Sequence, residues 1–493
     1  MPTVDVPLFR AYPTAPALKP DAMRDTAPYI AKPAVQTALG YPAELLDNWQ
    51  PIAIQKMGEL IKQNKALRVY LDACVKCGAC TDKCHYFIGT ADPKNMPVAR
   101  QDLFRNVYRR YFTLAGRFFP KLVGATDLTK AVLDDWYTYY HQCSQCRRCA
   151  VFCPYGIDTA EIAMAAREIL DVVGKGQKYC NEVIGKVLKT GNNLGIPEPA
   201  LRDTLASLED DIYLETGVTV RLPLDNIGAE VLLITPSADF FAEPHIDGLI
   251  GYAKVFHQAG IAWTLSSYAA EAANFGLFTG SYENMQKIAQ RIREAAIALR
   301  VKRIVFGECG HAWRVAYHFL QTLVGDFNFL DPRYPIPQHI CEVTYDLLQR
   351  NALRLDKSAN DKRILTFHDS CNIARASRMG QQAGGQFTIP REIIKQVANH
   401  FYEMPVNTTH DKTFCCGGGG GLLTDDLLAL RVKGALPRME ALHAVVKAHE
   451  VTHLIAICAI CKTQFNTVMP YYGFNTVQVM SLHQLVGDAL VMR

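Results

Sequence analysis

Two adjacent cysteines followed by five glycines form the most unusual stretch of this 493-residue chain. Cys415 and Cys416 precede the run from Gly417 to Gly421. Adjacent cysteines form a disulfide with each other only under strain, and the glycines leave the backbone bare beside them. The pattern therefore predicts a thiolate pair that binds something bulky and inorganic, with Gly417 and Gly418 as its backbone contacts. A nucleotide-binding loop is the rival interpretation, but no Lys-Ser or Lys-Thr follows the glycines.

Three further cysteines are expected at the same site. Cys371 lies upstream of the pair, and Cys458 and Cys461 form a C-x2-C motif downstream, directly after an apolar run over residues 454–457. Five converging thiolates exceed the four that a tetrahedral zinc ion or an ordinary cubane cluster takes. The sequence therefore predicts a metal centre of a different kind from both.

Eight more cysteines form two C-x2-C-x2-C-x3-C motifs, the second of which is closed by Pro154. In this motif a short turn wraps one [4Fe-4S] cube, while the fourth cysteine reaches the other cube. A pair of zinc knuckles is the alternative, but zinc ribbons use two separated C-x2-C pairs. His85 stands where the usual motif has proline, and we interpret it as a helix-start residue or a hydrogen-bond donor. The predicted ligands are Cys74, Cys77, Cys80 and Cys153 for one cubane [4Fe-4S] cluster, and Cys143, Cys146, Cys149 and Cys84 for the other.

Composition narrows the class of protein. The chain has 52 basic and 48 acidic residues, and a net charge of +4 is too weak to indicate nucleic-acid binding. No stretch approaches the roughly 18 apolar residues of a membrane span, and the N-terminus lacks a secretory pattern. We therefore expect a cytoplasmic protein, in which sixteen cysteines indicate metal or redox chemistry rather than disulfides.

Helical patterns surround the two cluster motifs. Residues 1–45 are rich in proline and predict an extended arm. Helical periodicity predicts helices over residues 47–65 and 159–173, the second capped by Asp158 or Thr159. Residues 85–142, between the motifs, interleave Arg100, Arg105 and further arginines with aromatic residues. We interpret this insertion either as a helical segment with a solvated basic face or as a surface that docks to a membrane partner at the level of the lipid headgroups.

From residue 229 onward, short β-branched runs alternate with helices, which is typical of α/β layers. Two halves resemble each other: residues 301–320 match 451–470, 340–343 match 479–482, and 233–236 match 365–368. The first half lacks the double cysteine and keeps only Cys309 and Cys341. Cys309, His311 and His368 are candidate catalytic residues, Cys309 for sulfur exchange and the histidines as proton donors. The alternatives are a leftover thiol of the decayed repeat and structural histidines. The predicted strands comprise residues 231–234, 261–263, 304–306, 364–367 and 454–457.

These features predict an α+β multidomain protein. A helical ferredoxin domain with two [4Fe-4S] clusters over residues 46–228 follows the arm. A degenerate α/β repeat over residues 229–360 and a second repeat over residues 361–493 complete the chain. Because sites in open α/β sheets form beyond the carboxyl ends of strands, Cys309, Cys371 and Cys458 are expected at one crevice.

The cysteine-rich half resembles the CCG-domain proteins, whose signature is a cysteine, then Cys-Cys-Gly, then C-x2-C. With the preceding ferredoxin module, the chain is similar to the HdrD type of heterodisulfide reductase subunit and to the related iron–sulfur subunit of the Dsr membrane complex. The resemblance implies a noncubane [4Fe-4S] cluster that reduces a disulfide in two one-electron steps. It assigns the following ligands to that cluster: Cys371, Cys415, Cys416, Cys458 and Cys461.

The same resemblance implies partners and a location. Electrons would enter from a cytochrome b-like integral membrane subunit of a Dsr-type complex, and the substrate would be a DsrC-like small protein. The chain would then lie on the inner face of the cell membrane, attached through the membrane subunit. Two alternatives remain: an electron-relay subunit of a flavin-dependent 2-hydroxy acid dehydrogenase, and a non-catalytic assembly subunit. The spacings around Cys415 and Cys416 are somewhat longer than the usual pattern, and the degenerate first repeat argues against a second noncubane cluster.

Overall fold

The computed structural model describes residues 32–272, 274–424 and 427–492. The predicted extended arm covers residues 1–45, and residues 1–31 of it lie outside the described residues. The remainder of the arm begins with a short helix, α1 (Pro33–Ala38). Among the described helices, none combines the length and apolar character that a membrane span requires.

The described residues form two compact units. The first contains the residues up to Gly185 together with Phe275–Tyr282 and Phe414–Glu440. The second contains Lys186–Asn274, Glu283–Thr413 and the residues from Ala441 onward. These units differ from the predicted domain boundaries at residues 46–228, 229–360 and 361–493. The physical reason is packing between residues far apart in sequence: Leu422, Leu427 and Leu430 join an apolar cluster with Tyr86 and Phe87.

The first unit is helical. Its main core joins four helices, over residues 49–63, 97–112, 130–141 and 159–172. They pack around buried side chains that include Phe104, Trp136 and Ile162. Asn64 interrupts the helix predicted over residues 47–65, and its side chain accepts a hydrogen bond from the Leu67 amide at the start of the next helix. The helix predicted over residues 159–173 is confirmed, and Asp158 caps it by accepting from the Ala160 amide. Its further helices are α2 (Trp49–Gln63), α3 (Lys65–Ala73), α4 (His85–Thr90), α5 (Pro97–Phe112), α6 (Leu114–Phe118), α7 (Pro120–Val123), α8 (Lys130–His141), α9 (Arg148–Val151) and α10 (Thr159–Val172).

The basic insertion is only partly solvated. Arg100 and Arg105, on α5, are buried, whereas Arg117 is exposed. Arg105 donates to the Cys74 carbonyl oxygen over 2.7 Å and pairs with Asp102. The expectation of one solvated basic face is therefore wrong for the first part of the insertion, because these guanidinium groups bind the loop of a cysteine motif.

The second unit is built on two parallel sheets. The strands are β1 (Val231–Ile234), β2 (Trp263–Thr264), β3 (Arg303–Phe306), β4 (Gln338–His339), β5 (Leu365–His368), β6 (His453–Ala456) and β7 (Gln478–Met480). One sheet has the strand order β2-β1-β3-β4, and the other has the order β5-β6-β7. The strands are short and fully buried in the centre, as expected for parallel sheets that helices cover on both faces.

Helices follow the strands along the chain, and their apolar faces form one core with the two sheets. The remaining helices are α11 (Lys178–Thr190), α12 (Glu198–Thr216), α13 (His245–Gln258), α14 (Asn274–Thr279), α15 (Tyr282–Ala298), α16 (Gly310–Val315), α17 (Gln321–Val324), α18 (Ile340–Gln349), α19 (Cys371–Ala376), α20 (Gly385–Val397), α21 (Leu428–His449), α22 (Ala459–Val468) and α23 (Leu482–Ala489).

The predicted internal repeat is visible in the sheets. Strands β1, β3 and β4 of the first half correspond in order and direction to β5, β6 and β7 of the second half. Two of the predicted sequence matches are wrong, the first by two residues and the second by three. Residues 231–234, not 233–236, form the strand equivalent to residues 365–368, and residue 340 already begins a helix where residue 479 lies in β7. Turn lengths set these offsets, and short apolar runs do not reveal them.

Candidate functional site

The first cysteine motif of the helical unit closes around a cavity. Cys74, Cys77 and Cys80 line it together with Cys153, the last cysteine of the second motif. Burial, and to a smaller extent the nearby Cys153 and Cys74, raise the pKa of Cys80 to about 11, although backbone hydrogen bonds oppose them. The structure thus brings together the four thiols predicted for one cluster, including the one that crosses over from the second motif.

The second motif shows the reciprocal arrangement. Burial raises the pKa of Cys149, and the neighbouring Cys143 adds to the effect, as does Cys84 from the first motif. Burial also disfavours the Cys84 thiolate, yet the charges of Arg100 and His85 outweigh it and lower the pKa of Cys84. The Arg100 Nη1 atom lies 3.3 Å from the Cys84 Sγ atom. A buried cation beside a group of thiols suits a site whose ligands bind as thiolates.

His85 begins helix α4 and is buried. Its Nδ1 atom lies 2.7 Å from the Gly434 carbonyl oxygen, and its Nε2 atom lies 2.7 Å from the Ser144 Oγ atom. Burial lowers the pKa of His85, but the charge of Cys415 and a hydrogen bond to it outweigh burial, so the net shift is upward. His85 therefore links the second cysteine motif to the Cys415 segment.

The glycine run packs against the second motif. A Cβ atom on Gly420 would lie 2.9 Å from the Cys143 carbonyl oxygen, and one on Gly421 would lie 2.7 Å from the Cys180 Sγ atom. Both glycines also have positive φ, at 70° and 86°. Gly417, with φ 97°, accepts a 2.6 Å hydrogen bond from the Tyr86 hydroxyl. Close packing therefore requires glycine at positions 420 and 421.

The second unit gathers a separate group of sulfur and nitrogen ligands. Cys309 and Cys458 are the N-cap residues of α16 and α22, each directly beyond the carboxyl end of a strand. The candidate ligand atoms of Cys309, His311 and Cys458 all lie within 4.8 Å of one another, and all three residues are buried. The Cys458 Sγ atom is 3.8 Å from the His311 Nδ1 atom. This group lies at the crevice predicted from the strand ends.

Hydrogen bonding shifts the pKa values of the two N-cap thiols in opposite directions. Hydrogen bonds to Cys309 and Cys461 lower the pKa of Cys458 well below its usual range, against the effect of burial. The bond to Cys458, together with burial, raises the pKa of Cys309 well above its usual range. The two thiols of this buried pair therefore differ in acidity.

Cys371 lies beside this group. It is the first residue of α19, and a Cβ atom on Gly310 would lie 2.3 Å from the Ser370 Oγ atom, so α16 and α19 begin side by side. The Asn372 side-chain Nδ2 atom lies 3.5 Å from the Cys371 Sγ atom, and Arg314 donates to the Asn372 side-chain oxygen. The structure therefore brings three of the five predicted noncubane ligands, Cys371, Cys458 and Cys461, to the strand ends of this unit.

A buried ionic group behind Cys309 was not predicted from the sequence. Glu308 accepts from the His483 Nδ1 atom over 2.7 Å and from the His483 amide over 2.8 Å, and Lys462 Nζ lies 3.4 Å from its other oxygen. Burial would raise the pKa of Glu308, but Lys462 and His483 outweigh it and hold the pKa at about 2. The sequence offered one signal for this ionic group: Glu308 directly precedes the predicted site residue Cys309, and Lys462 directly follows Cys461.

The remaining predicted residues have structural surroundings. His368 ends β5 and packs edge-on against Phe465, with ring centroids 4.8 Å apart. Cys341 is buried near the start of α18, outside the group formed by Cys309, His311 and Cys458. Gly418 is buried within the glycine run.

Comparison with known proteins shows that family models match two cysteine-rich segments of this chain. A family model described as a 4Fe-4S dicluster domain matches residues 70–157, and one described as a cysteine-rich domain, CCG, matches residues 365–466. An Hdr-like menaquinol oxidoreductase iron-sulfur subunit 2 from Archaeoglobus fulgidus is 39% identical, over 91% of this chain and 85% of the relative. The chain belongs to this Hdr-like family of iron–sulfur subunits.

Two further relatives support the assignment. The Hdr-like subunit of Archaeoglobus profundus is 38% identical, over 91% of this chain and 84% of the relative. A subunit of the dihydromethanophenazine:CoB–CoM heterodisulfide reductase of Methanosarcina barkeri is 23% identical, over 70% of this chain and 78% of the relative. No solved structure matched the chain significantly. The predicted resemblance to HdrD-type subunits is confirmed, and the chain is an iron–sulfur, electron-transfer subunit of an oxidoreductase related to heterodisulfide reductase.

Proposed function

We propose that this protein is the catalytic iron–sulfur subunit of a membrane-bound redox complex that exchanges electrons with a protein disulfide or trisulfide in dissimilatory sulfur metabolism. One observation carries the proposal: the Cys309 sulfur lies within 4.8 Å of the sulfur of the predicted ligand Cys458, so a thiol outside the predicted ligand set stands at the site. An electron relay alone has no use for an additional thiol. A sulfur substrate that exchanges with a protein thiol does.

The proposed cofactors follow the cysteine groups. The eight motif cysteines hold two cubane [4Fe-4S] clusters, in the crossed sets that lie together in the helical unit. A noncubane [4Fe-4S] cluster takes Cys371, Cys415, Cys416, Cys458 and Cys461, all of which fall within the match to the cysteine-rich domain. When bound, these clusters supply one-electron transfer.

The protein residues provide thiol and proton chemistry. Reduction of a disulfide consumes two electrons and two protons and yields two thiols, and oxidation of a quinol to a quinone releases the same numbers. His311, whose Nδ1 atom is 3.8 Å from the Cys458 sulfur, is placed to supply one proton, while Cys309 provides the exchanging thiol. His368 is the second proposed proton donor. The same balance in reverse describes thiol oxidation.

The proposed partners come from the family. The relatives from Archaeoglobus are named as menaquinol oxidoreductase subunits, so the electron partner of this chain is a cytochrome b-like membrane subunit that exchanges electrons with a quinol pool. Its sulfur partner is a DsrC-like small protein. The chain attaches to the inner face of the membrane through the other subunits of a Dsr-type complex.

The proposal is tested by electron paramagnetic resonance of the purified, iron-loaded chain. We expect a new signal when the chain is oxidised in the presence of a DsrC-like thiol protein, and loss of that signal in Cys416→Ser. Cys180→Ser is the matched control, because Cys180 is buried and belongs to no proposed ligand set. A chain whose spectrum does not respond to the thiol protein would instead be a relay or assembly subunit.

A further inference from the structure

An exposed apolar tip projects from the insertion between the two cluster motifs. Four large side chains on and between helices α6 and α7 form it, and we refer to them as the apolar tip. Their exposed fractions are unusually high for such residues: Leu114 74%, Phe118 72%, Phe119 61% and Leu122 84%. Scattered single apolar residues are common on protein surfaces, but four within nine positions indicate a binding surface.

The exposure of the tip is imposed by a tightly held backbone. A Cβ atom on Gly116 would lie 1.9 Å from the Arg109 carbonyl oxygen, so α6 packs directly against the end of α5. Arg117 donates to the Tyr111 carbonyl oxygen over 2.7 Å, and Arg109 donates to the Val123 carbonyl oxygen over 2.8 Å. These contacts hold both short helices in place and leave the apolar side chains pointing outward.

The charge around the tip has one sign. From Leu103 to Thr126 the chain contains four arginines and one lysine but neither aspartate nor glutamate. Arg117 and Lys121 are exposed next to the apolar side chains, while Arg110 pairs with Asp127 at the edge. Apolar and aromatic side chains flanked by cations match a bilayer surface, whose acyl region is apolar and whose headgroups carry negative charge.

We infer that the apolar tip is a lipid-contacting surface that inserts into an anionic phospholipid bilayer. Charge complementarity selects this occupant, because the apolar socket of another protein would account for the phenylalanines and leucines but not for the exposed cations beside them. A single small insertion of this kind gives weak, reversible binding. The tip would therefore orient the chain at the membrane. The inference does not depend on the sulfur chemistry proposed above.

Vesicle flotation with the full-length, iron-loaded chain tests the inference. The probes are phosphatidylcholine vesicles with and without phosphatidylglycerol. We expect binding to the anionic vesicles that weakens with added salt, and a loss of at least about tenfold in the double variant Phe118→Ser, Leu122→Ser. Lys121→Gln should reduce binding about threefold or more, because each cation near an anionic surface adds attraction.

The matched control is Leu214→Ser, which removes an equally exposed leucine, 82% accessible, from helix α12 in the other unit. It should bind vesicles like the unaltered chain. No binding to anionic vesicles, or equal binding by the double variant, would overturn the inference. Binding that requires a reconstituted membrane subunit would also overturn it and assign the tip to a protein partner. Iron content measured on the same samples keeps this outcome separate from any failure of the proposed redox function.

Discussion

The two halves of the parallel-sheet unit place different chemistry at equivalent positions. Cys309 and Cys458 are both N-cap residues after equivalent strands. Three residues after the strand that opens each half, the first half has Ser237 where the second has Cys371 at the start of a helical turn. One scaffold thus carries Cys371 and Cys458 at these positions in one half, and Ser237 and Cys309 at the equivalent positions in the other.

The first half satisfies its polar groups with hydrogen bonds instead. The Ser237 amide and hydroxyl both donate to Glu271, over 3.0 and 2.8 Å. Burial raises the pKa of Glu271 to about 7, although the bonds from Ser237 oppose the shift. Cys309 is the exception, because its sulfur lies within 4.8 Å of the Cys458 sulfur in the other half. A degenerate repeat can thus lose most of its cysteines and still place one thiol next to a cysteine of the other half.

Cys458→Ser should produce the largest effect, because it tests directly whether the two halves differ in their metal ligands. It removes a proposed ligand from the complete half, so iron should fall from about twelve to about eight atoms per chain. Thiol-dependent activity should be lost. Iron analysis of the purified chain checks this, and an unchanged iron content would show that Cys458 is no more a ligand than Cys309.

Glu308→Gln should reduce the free energy of unfolding by about 3–5 kcal/mol, because it leaves Lys462 buried without its counter-charge. Chemical denaturation measures the change. Asp346→Asn is the control, because it breaks an exposed pair with Arg350 on α18 and should cost less than about 0.5 kcal/mol. Equal small effects of the two variants would contradict a structural role for this ionic group between the halves.

The same glutamate predicts a pH dependence. Its pKa falls from 4.5 to about 2 on folding, so its contribution is fully present above pH 4.5 and is lost as the pH falls towards 2. The shift corresponds to about 3 kcal/mol. The difference in unfolding free energy between the unaltered chain and Glu308→Gln should therefore narrow across this interval. A difference that stays constant with pH would exclude the ionised carboxylate as its source.

Cys309→Ser tests the same difference between the two halves at the thiol of the first half. The variant should keep its full iron content, since Cys309 is the additional thiol, but turnover with a thiol protein should fall by about a hundredfold. Steady-state kinetics and iron analysis on one preparation test both statements. Unchanged turnover would remove Cys309 from the exchange chemistry and make it a remnant of the repeat.

Ser237→Cys should have the smallest effect. It restores a thiol at the position equivalent to Cys371 but weakens the hydrogen bonds to Glu271, at a cost of about 1–2 kcal/mol. Iron content should not rise, because the first half has no double cysteine. Added iron in this variant would show that the first half still holds a latent metal site.

The amino-acid sequence by itself determined the kind of chemistry. The C-x2-C-x2-C-x3-C spacings predict two cluster-binding loops, because the turn that wraps three cysteines around a cluster needs only neighbouring residues. The Asp158 cap and the buried central strands were equally readable, since capping and hydrophobic periodicity are local properties.

Only the tertiary structure decided how these groups are supported. His85 contacts Gly434 across 349 residues of sequence, and Glu308 contacts His483 across 175. Arg100 lies on a helix that reads as solvated, yet it is buried beside Cys84. From the sequence, Gly420 and Gly421 belong to bare backbone beside the cysteine pair, but they pack against Cys143 and Cys180. Such contacts depend on packing between distant segments, and no local pattern of residues encodes them.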